Sequence, residues 1–175
     1  MEALTSYRQL VAKVDALWIR SARLLSGRLR CGPGCCDCCR QHISVFPVEA
    51  VSIALALDTL PHEAAEVLRD RAARVTGEGP CPLLTPDGRC ALYAARPIIC
   101  RTQGLPLLID AGDGRRVAAC PLNRLDGETL PAEAVVDLER LNRVLAAVNR
   151  LFVQTVMPKA PERIPISAAL EIRLS

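Results

Sequence analysis

The stretch "CGPGCCDCC", residues 31–39, places five cysteines in nine positions: Cys31, Cys35, Cys36, Cys38 and Cys39. Local geometry argues against a disulfide knot. Closing a ring between the neighbours Cys35 and Cys36, or Cys38 and Cys39, strains the peptide between them. The chain holds nine cysteines in all, an odd number that complete pairing cannot use up. Cys35 and Cys38 form a C-x-x-C, and so do Cys36 and Cys39. That spacing lets two thiolates grip one ion across a tight turn, with Gly32 and Gly34 allowing close backbone approach. Four further cysteines, Cys81, Cys90, Cys100 and Cys120, lie downstream. Two interleaved chelating pairs with four distant thiols read as a metal centre.

Composition sets the frame for that centre. A chain of 175 residues reads as one domain, 1–175, with room for a substantial core. Half the residues are apolar and the net charge is only +3, with lysine limited to Lys13 and Lys159. Nucleic-acid binding wants a basic stripe and aromatic stacking platforms, and the chain has five aromatics in all. No nucleic-acid partner is expected. The longest apolar run, "AVSIALAL", is far shorter than the ~20 residues that span a bilayer. No membrane association is expected. The N-terminal segment has charges at Glu2, Lys13 and Asp15 and no uninterrupted apolar stretch, so it does not read as a targeting peptide. The expected compartment is the cytoplasm, where thiols stay reduced and cysteine clusters serve metals.

Outside the cysteine loop, helical periodicity dominates. Leu10, Val11, Val14, Leu17, Trp18, Ala22 and Leu25 predict a helix over 5–29, capped by Thr5 or Ser6 and stopped before Gly32-Pro33-Gly34. "FPVEAVSIALAL" predicts a second helix with Pro47 and Glu49 in its first turn. "LPHEAAEVLRDRAARV" repeats that pattern with Pro61 and Glu63, and the two helices should form a hairpin around Asp58. Pro86-Asp87-Gly88 marks a hairpin or tight loop that brings Cys81 near Cys90. Gly112-Asp113-Gly114 marks a second hairpin ending on Cys120. Val135, Leu138, Leu141, Leu145, Val148 and Phe152 predict a C-terminal helix over 131–156, opened by Pro131, and a short element should follow it. The expected fold is mainly α, a helical scaffold around an irregular cysteine-rich centre at 31–120 with one or two small β-hairpins.

Two signatures in order give the centre a family likeness. Cys31, Cys35, Cys38 and Cys39 fit a cysteine, a short spacer, then C-x-x-C-C. "CPLLTPDGRCALYAARPIICR" supplies Cys81, Cys90 and Cys100, with Tyr93, Arg96, Pro97 and Arg101 around them. Together they resemble the YkgJ-like cysteine-cluster proteins, described as zinc- or iron-chelating or as carrying iron-sulfur clusters. The likeness spans roughly 31–104, with an extension to Cys120. It implies a bound metal and supplies no reaction.

The candidate ligands are therefore Cys31, Cys35, Cys38, Cys39, Cys81, Cys90, Cys100 and Cys120. Cys36 falls on a variable position of the first signature and reads as a buried apolar filler, a role that Cys120 also suits. His42 is an alternative ligand, His62 reads as exposed, and Tyr93 and Trp18 read as core. Arg30, Arg40, Arg89 and Arg101 each abut a cysteine. Guanidinium groups there should lower thiol pKa values and offset the charge of about −2 left by four thiolates around Zn²⁺ or a [4Fe-4S] core. Both metals suit the donor set. The bacterial ferredoxin spacing is absent, and crowding of the loop together with the family likeness favours [4Fe-4S] over Zn²⁺. Three roles follow: a redox or substrate-modifying centre with a redox or protein partner, a structural zinc module, or metal chelation and delivery. Nothing resembles a Ser/His/Asp set or a phosphate-binding glycine loop. Arg96, Arg101 and Gln103, clustered around Cys100, are the expected lining of an accessible site beside the metal.

Overall fold

A computed structural model describes residues 2–32, 34–77, 79–125 and 129–173. Among them are six α-helices and two small sheets of two and three strands. The scaffold is mainly helical, as expected. Pro33, part of the expected stop signal, lies outside the described residues.

The central element is α2 (Pro47–Leu57). Pro47 occupies its first turn, where a missing N–H costs nothing. Most of its residues are buried, so it is apolar all round, which suits a helix enclosed by others. Ala50, Ile53 and Leu57 face one core cluster, with Leu68, Leu83 and Leu170. Val48 and Val51 face a second, with Tyr7, Val14, Leu105 and Phe152. Val48, Val51, Ile53 and Leu57 are each at most 1% exposed, and full burial of such a side chain contributes roughly 1.5–3 kcal/mol.

α1 runs Thr5–Leu24 behind a 3-10 turn at Glu2–Leu4. Tyr7, Leu10 and Val14 form its buried stripe. The expected cap and end both need correction. Leu4 is the N-cap and no side chain caps the helix. The helix stops at Leu24, short of residue 29, where Leu25 leaves the helical region and Gly27 turns the chain at φ +74°. α3 (His62–Ala73) follows α2 through a short turn, but it packs chiefly on the C-terminal α6 (Ile166–Ala169). Arg69 ties α3 to that turn through Asp58 at 3.2 Å and pairs within the helix with Glu66 at 2.7 Å.

The 81–90 segment closes as a tight loop with a single bridge, Leu84 to Cys90, not as a ladder. α4 (Ile98–Thr102) carries Cys100 and ends before Gly104, at φ +83°. β2 (Leu107–Asp110) and β3 (Arg115–Ala118) make the expected hairpin around Gly112. The helix expected from Pro131 starts later. Ala132–Ala134 form a 3-10 turn, and β4 (Val136–Asp137) pairs parallel with β2. Only then does α5 (Leu138–Val156) begin, with Asp137 accepting a hydrogen bond from the Arg140 N–H at 2.9 Å. A two-residue ribbon not expected from the sequence, β1 (Ser44–Val45) with β5 (Ile164–Pro165), fastens the tail beside the start of α2.

Candidate metal centre

Three segments converge to build the site. The loop after α1 carries Cys31 to Cys39, with a 3-10 turn at Asp37–Arg40. The 81–90 loop meets it directly, since the Cys81 N–H donates to the Cys39 carbonyl at 2.9 Å. α4 brings Cys100. Glu49 anchors that helix. This residue is 2% exposed, and its carboxylate accepts from the Phe46 N–H at 3.0 Å and the Ile98 N–H at 2.9 Å. One side chain thus starts α2 and sets the first turn of α4. Burial raises the Glu49 pKa, and the two N–H donors and Arg163 oppose that shift.

Cys38, Cys39, Cys81, Cys90 and Cys100 form one mutually interacting group. Cys38 Sγ and Cys39 Sγ stand 4.0 Å apart. Burial, then neighbouring thiols, pushes Cys39 up to about 12 and Cys100 up to about 12. Burial likewise pushes Cys81 up to about 11, and it raises Cys90. Cys31 adds a second group with Cys35 and Cys120, whose charges act on it together with that of Cys38. Burial, then Cys35 and Cys38, raises the Cys31 pKa. Charge coupling thus links all eight candidate ligands, and Cys31 joins the two groups through Cys38. Among the described residues, no three Cys, His, Asp or Glu side chains are drawn together as closely as around a bound ion. The donor set nevertheless fits a thiolate-bound metal. It is rich in sulfur, and its crowded thiols resist ionising without a cation among them.

The second group is held by a residue the sequence did not single out. Asn123 is 6% exposed. Its Oδ1 accepts from the Arg30 N–H at 3.0 Å, its Nδ2 donates to the Gly104 carbonyl at 2.7 Å, and its own N–H reaches the Cys120 carbonyl at 3.0 Å. Gly104 in turn lies flat against Cys31. A Cβ on it would stand 2.5 Å from Cys31 Cβ. A polar residue three positions after Cys120 was the only signal available.

The remaining expectations divide. Cys36 is half-buried, not a buried filler, and a methyl group on Gly88 would stand 3.7 Å from its Sγ. Cys120 is half-buried too. His42 Nε2 accepts from the Ser167 N–H at 3.1 Å, so it fastens the start of α6. Burial lowers its pKa. His62 is exposed, as expected. Trp18 packs partly buried against the core, whereas Tyr93 is 59% exposed beneath the Arg96 guanidinium, 3.6 Å above its ring.

The arginines do not lower the thiols as expected. Arg40 pairs with Asp37 and Arg89 with Asp87. Arg101 is buried, with Nη1 on both Asp15 oxygens at 2.8 and 2.9 Å, Nε on the Arg96 carbonyl at 2.7 Å, and Nη2 on the Ala94 carbonyl. It braces the loop after Cys90 against α1. Arg96 is the guanidinium that pulls down Cys31 and Cys90, although burial outweighs it at both. Arg96 and Arg101 line a cavity of about 540 Å³ that no cysteine lines. Gln103 is half-buried and lies outside that lining.

No helix of the described residues is long and apolar enough to cross a membrane. No curated protein and no solved structure matches the chain. The pattern of one family, CxxCxxCC, matches residues 30–120, more than half of the chain, and spans both signatures and all nine cysteines. The chain belongs to the CxxCxxCC family, described as a zinc- or iron-chelating domain.

Proposed function

We propose that the chain is an iron-sulfur protein whose [4Fe-4S] cluster takes its four thiolates from among the five cysteines Cys38, Cys39, Cys81, Cys90 and Cys100, and that it works in the reducing cytoplasm. The cluster would serve a redox or substrate-modifying role with a protein or redox partner. When bound, such a cluster supplies one-electron or Lewis-acid chemistry. The observation that carries the reading is openness. Cys38 is exposed, and Cys81 opens onto a cleft of about 740 Å³. A closed structural site needs neither. The chain's own residues hold the thiols in place: the Cys81–Cys39 backbone bond joins two loops, and Glu49 fixes α4. Arg96 sets positive charge beside Cys90 and Cys31.

One distance favours zinc as the second reading. Cys38 Sγ and Cys39 Sγ are 4.0 Å apart, and the edge of a four-thiolate tetrahedron with ~2.3 Å bonds is about 3.8 Å. Thiolates across a [4Fe-4S] core stand wider, at roughly 6 Å or more. Anaerobic purification with a visible spectrum and iron, zinc and sulfide analysis separates the two. The proposal expects a brown protein with matching iron and sulfide that bleaches on reduction. A colourless protein with stoichiometric zinc overturns it. With either metal, chelation should lower the melting temperature sharply, because binding energy at an assembled site is folding energy. An unchanged melt after verified metal loss refutes that coupling.

A further inference from the structure

The cleft beside Cys81 has a chemistry of its own. Arg40, Arg71 and Arg74 line it, with Cys36, Cys81 and Gly88. No carboxylate among the described residues lines it. It is an open cleft of about 740 Å³, a volume in the range of small-molecule sites. Arg71 Nη1 donates to the Leu84 carbonyl at 3.2 Å, which holds one edge of its guanidinium against the 81–90 loop and leaves Nη2 for a ligand. Arg40 has only a long contact to Asp37, at 3.5 Å. Arg74 has no ion pair among the described residues. Two of the three arginines belong to the end of α3, whose last carbonyls at Arg71 and Ala72 are already met by the Arg74 and Val75 N–H groups. Three arginines therefore line one concavity, and among the described residues its lining carries no acid. Planar forks of N–H donors match the oxygens of phosphate and carboxylate, which they bind in pairs.

We propose that this cleft is a binding subsite for a small oxyanion, a phosphate ester or a carboxylate, held by Arg40, Arg71 and Arg74 against the Cys81 edge of the thiol group. Capture of the anion rests on the arginines alone. Its use as a substrate or effector subsite rests on the metal-centre reading, because Cys81 both lines the cleft and belongs to the five-thiol group.

The test uses the full chain, purified anaerobically with its metal, and calorimetric titration with inorganic phosphate and, separately, with citrate. Saturable binding of either probe is expected, and the tighter one identifies the phosphoryl or the carboxylate class. Arg74→Gln and Arg40→Gln should each weaken it about ten-fold or more, the loss of one charge-assisted contact, with the thermal melt unchanged. Arg71→Gln should do the same even if its lost contact to Leu84 lowers the melt. Arg150→Gln, on the exposed face of α5, should bind as the parent does. No saturation by either probe up to about 10 mM overturns the proposal, as does parent-like binding in Arg74→Gln and Arg40→Gln. Metal content is measured on every sample. A chain without iron or zinc that still binds phosphate through these arginines upholds the subsite and overturns the metal assignment. A metal-bearing chain without saturable binding does the reverse.

Discussion

Replacing Gly104 with Ala tests how tightly the second thiol group is built. Gly104 sits at φ +83°, and an added Cβ would stand 2.5 Å from Cys31 Cβ and 3.2 Å from Cys31 Sγ. Gly112 has almost the same φ, +84°, with nothing within 4 Å of the added atom. The left-handed conformation costs an L-residue about 1–2 kcal/mol, and both alanine variants carry that cost. Both also gain about 0.4–1 kcal/mol from a less flexible unfolded chain. Only Gly104→Ala adds the collision. Ordinary contact requires Cys31 to retreat by about 1 Å, and overpacking of this kind costs about 1–3 kcal/mol. Relaxation from the other side is limited, because Asn123 Nδ2 holds the Gly104 carbonyl at 2.7 Å. Gly104→Ala should therefore be less stable than Gly112→Ala by about 1–3 kcal/mol, read as a shift in urea midpoint at constant slope. A difference below about 0.5 kcal/mol, the scatter of surface substitutions, would refute the close approach of the two segments.

Three further outcomes follow from the site. Ser at Cys39, Cys81, Cys90 or Cys100 should abolish stoichiometric metal, while Cys36→Ser should retain it; metal analysis showing the reverse pattern refutes the grouping of thiols. Glu49→Gln offers one acceptor where the carboxylate offers two, so the Phe46 or Ile98 N–H is left unpaired, at a cost of about 1–3 kcal/mol in denaturant unfolding. Burial holds the Glu49 pKa above 4.5, so the folded chain binds this proton more readily than the unfolded one. Stability from this group falls as pH rises from 4.5 through the raised folded value, and Glu49→Gln should remove that slope. His42 has the opposite sign. Its lowered pKa means that the unfolded chain protonates first, so stability falls as pH drops from 6.5 through the folded value. His42→Gln should flatten melting temperature across that window, and an unchanged slope contradicts the burial that lowers its pKa.

What the sequence could and could not reveal follows from the range of the forces involved. α2 and the β2–β3 hairpin were legible because their signals are local: Pro47 and Glu49 open the helix, and Gly112 turns the hairpin. The same signal misled at Pro131. A proline suits the first turn of any helix, and here it opens one 3-10 turn before Val136 and Asp137 pair with β2. That pairing joins residues nearly thirty positions apart, which periodicity cannot see. The β1–β5 ribbon is still less visible, two residues on each side from opposite ends of the chain. At the site, thiol count and spacing were enough to nominate eight ligands, because thiolate chemistry is a property of the residue. The contacts that bring their segments together, the Cys81–Cys39 bond, the Glu49 anchor under α4 and the Asn123 hub, each join distant parts of the chain. Glu49 shows the limit most directly. From the sequence it is a helix-opening carboxylate, and half of that is correct, since Oε2 caps Phe46. Its other oxygen holds the helix bearing Cys100, a role no local pattern encodes. The arginines show the converse. Adjacency to a cysteine in sequence suggested charge compensation, yet Arg40, Arg89 and Arg101 are drawn to Asp37, Asp87 and Asp15. Arg96, four residues from Cys100, is the guanidinium whose charge acts on Cys31 and Cys90. Compensation of a thiolate centre is set by where the folded loop points a side chain, so neighbours in sequence are poor guides to it.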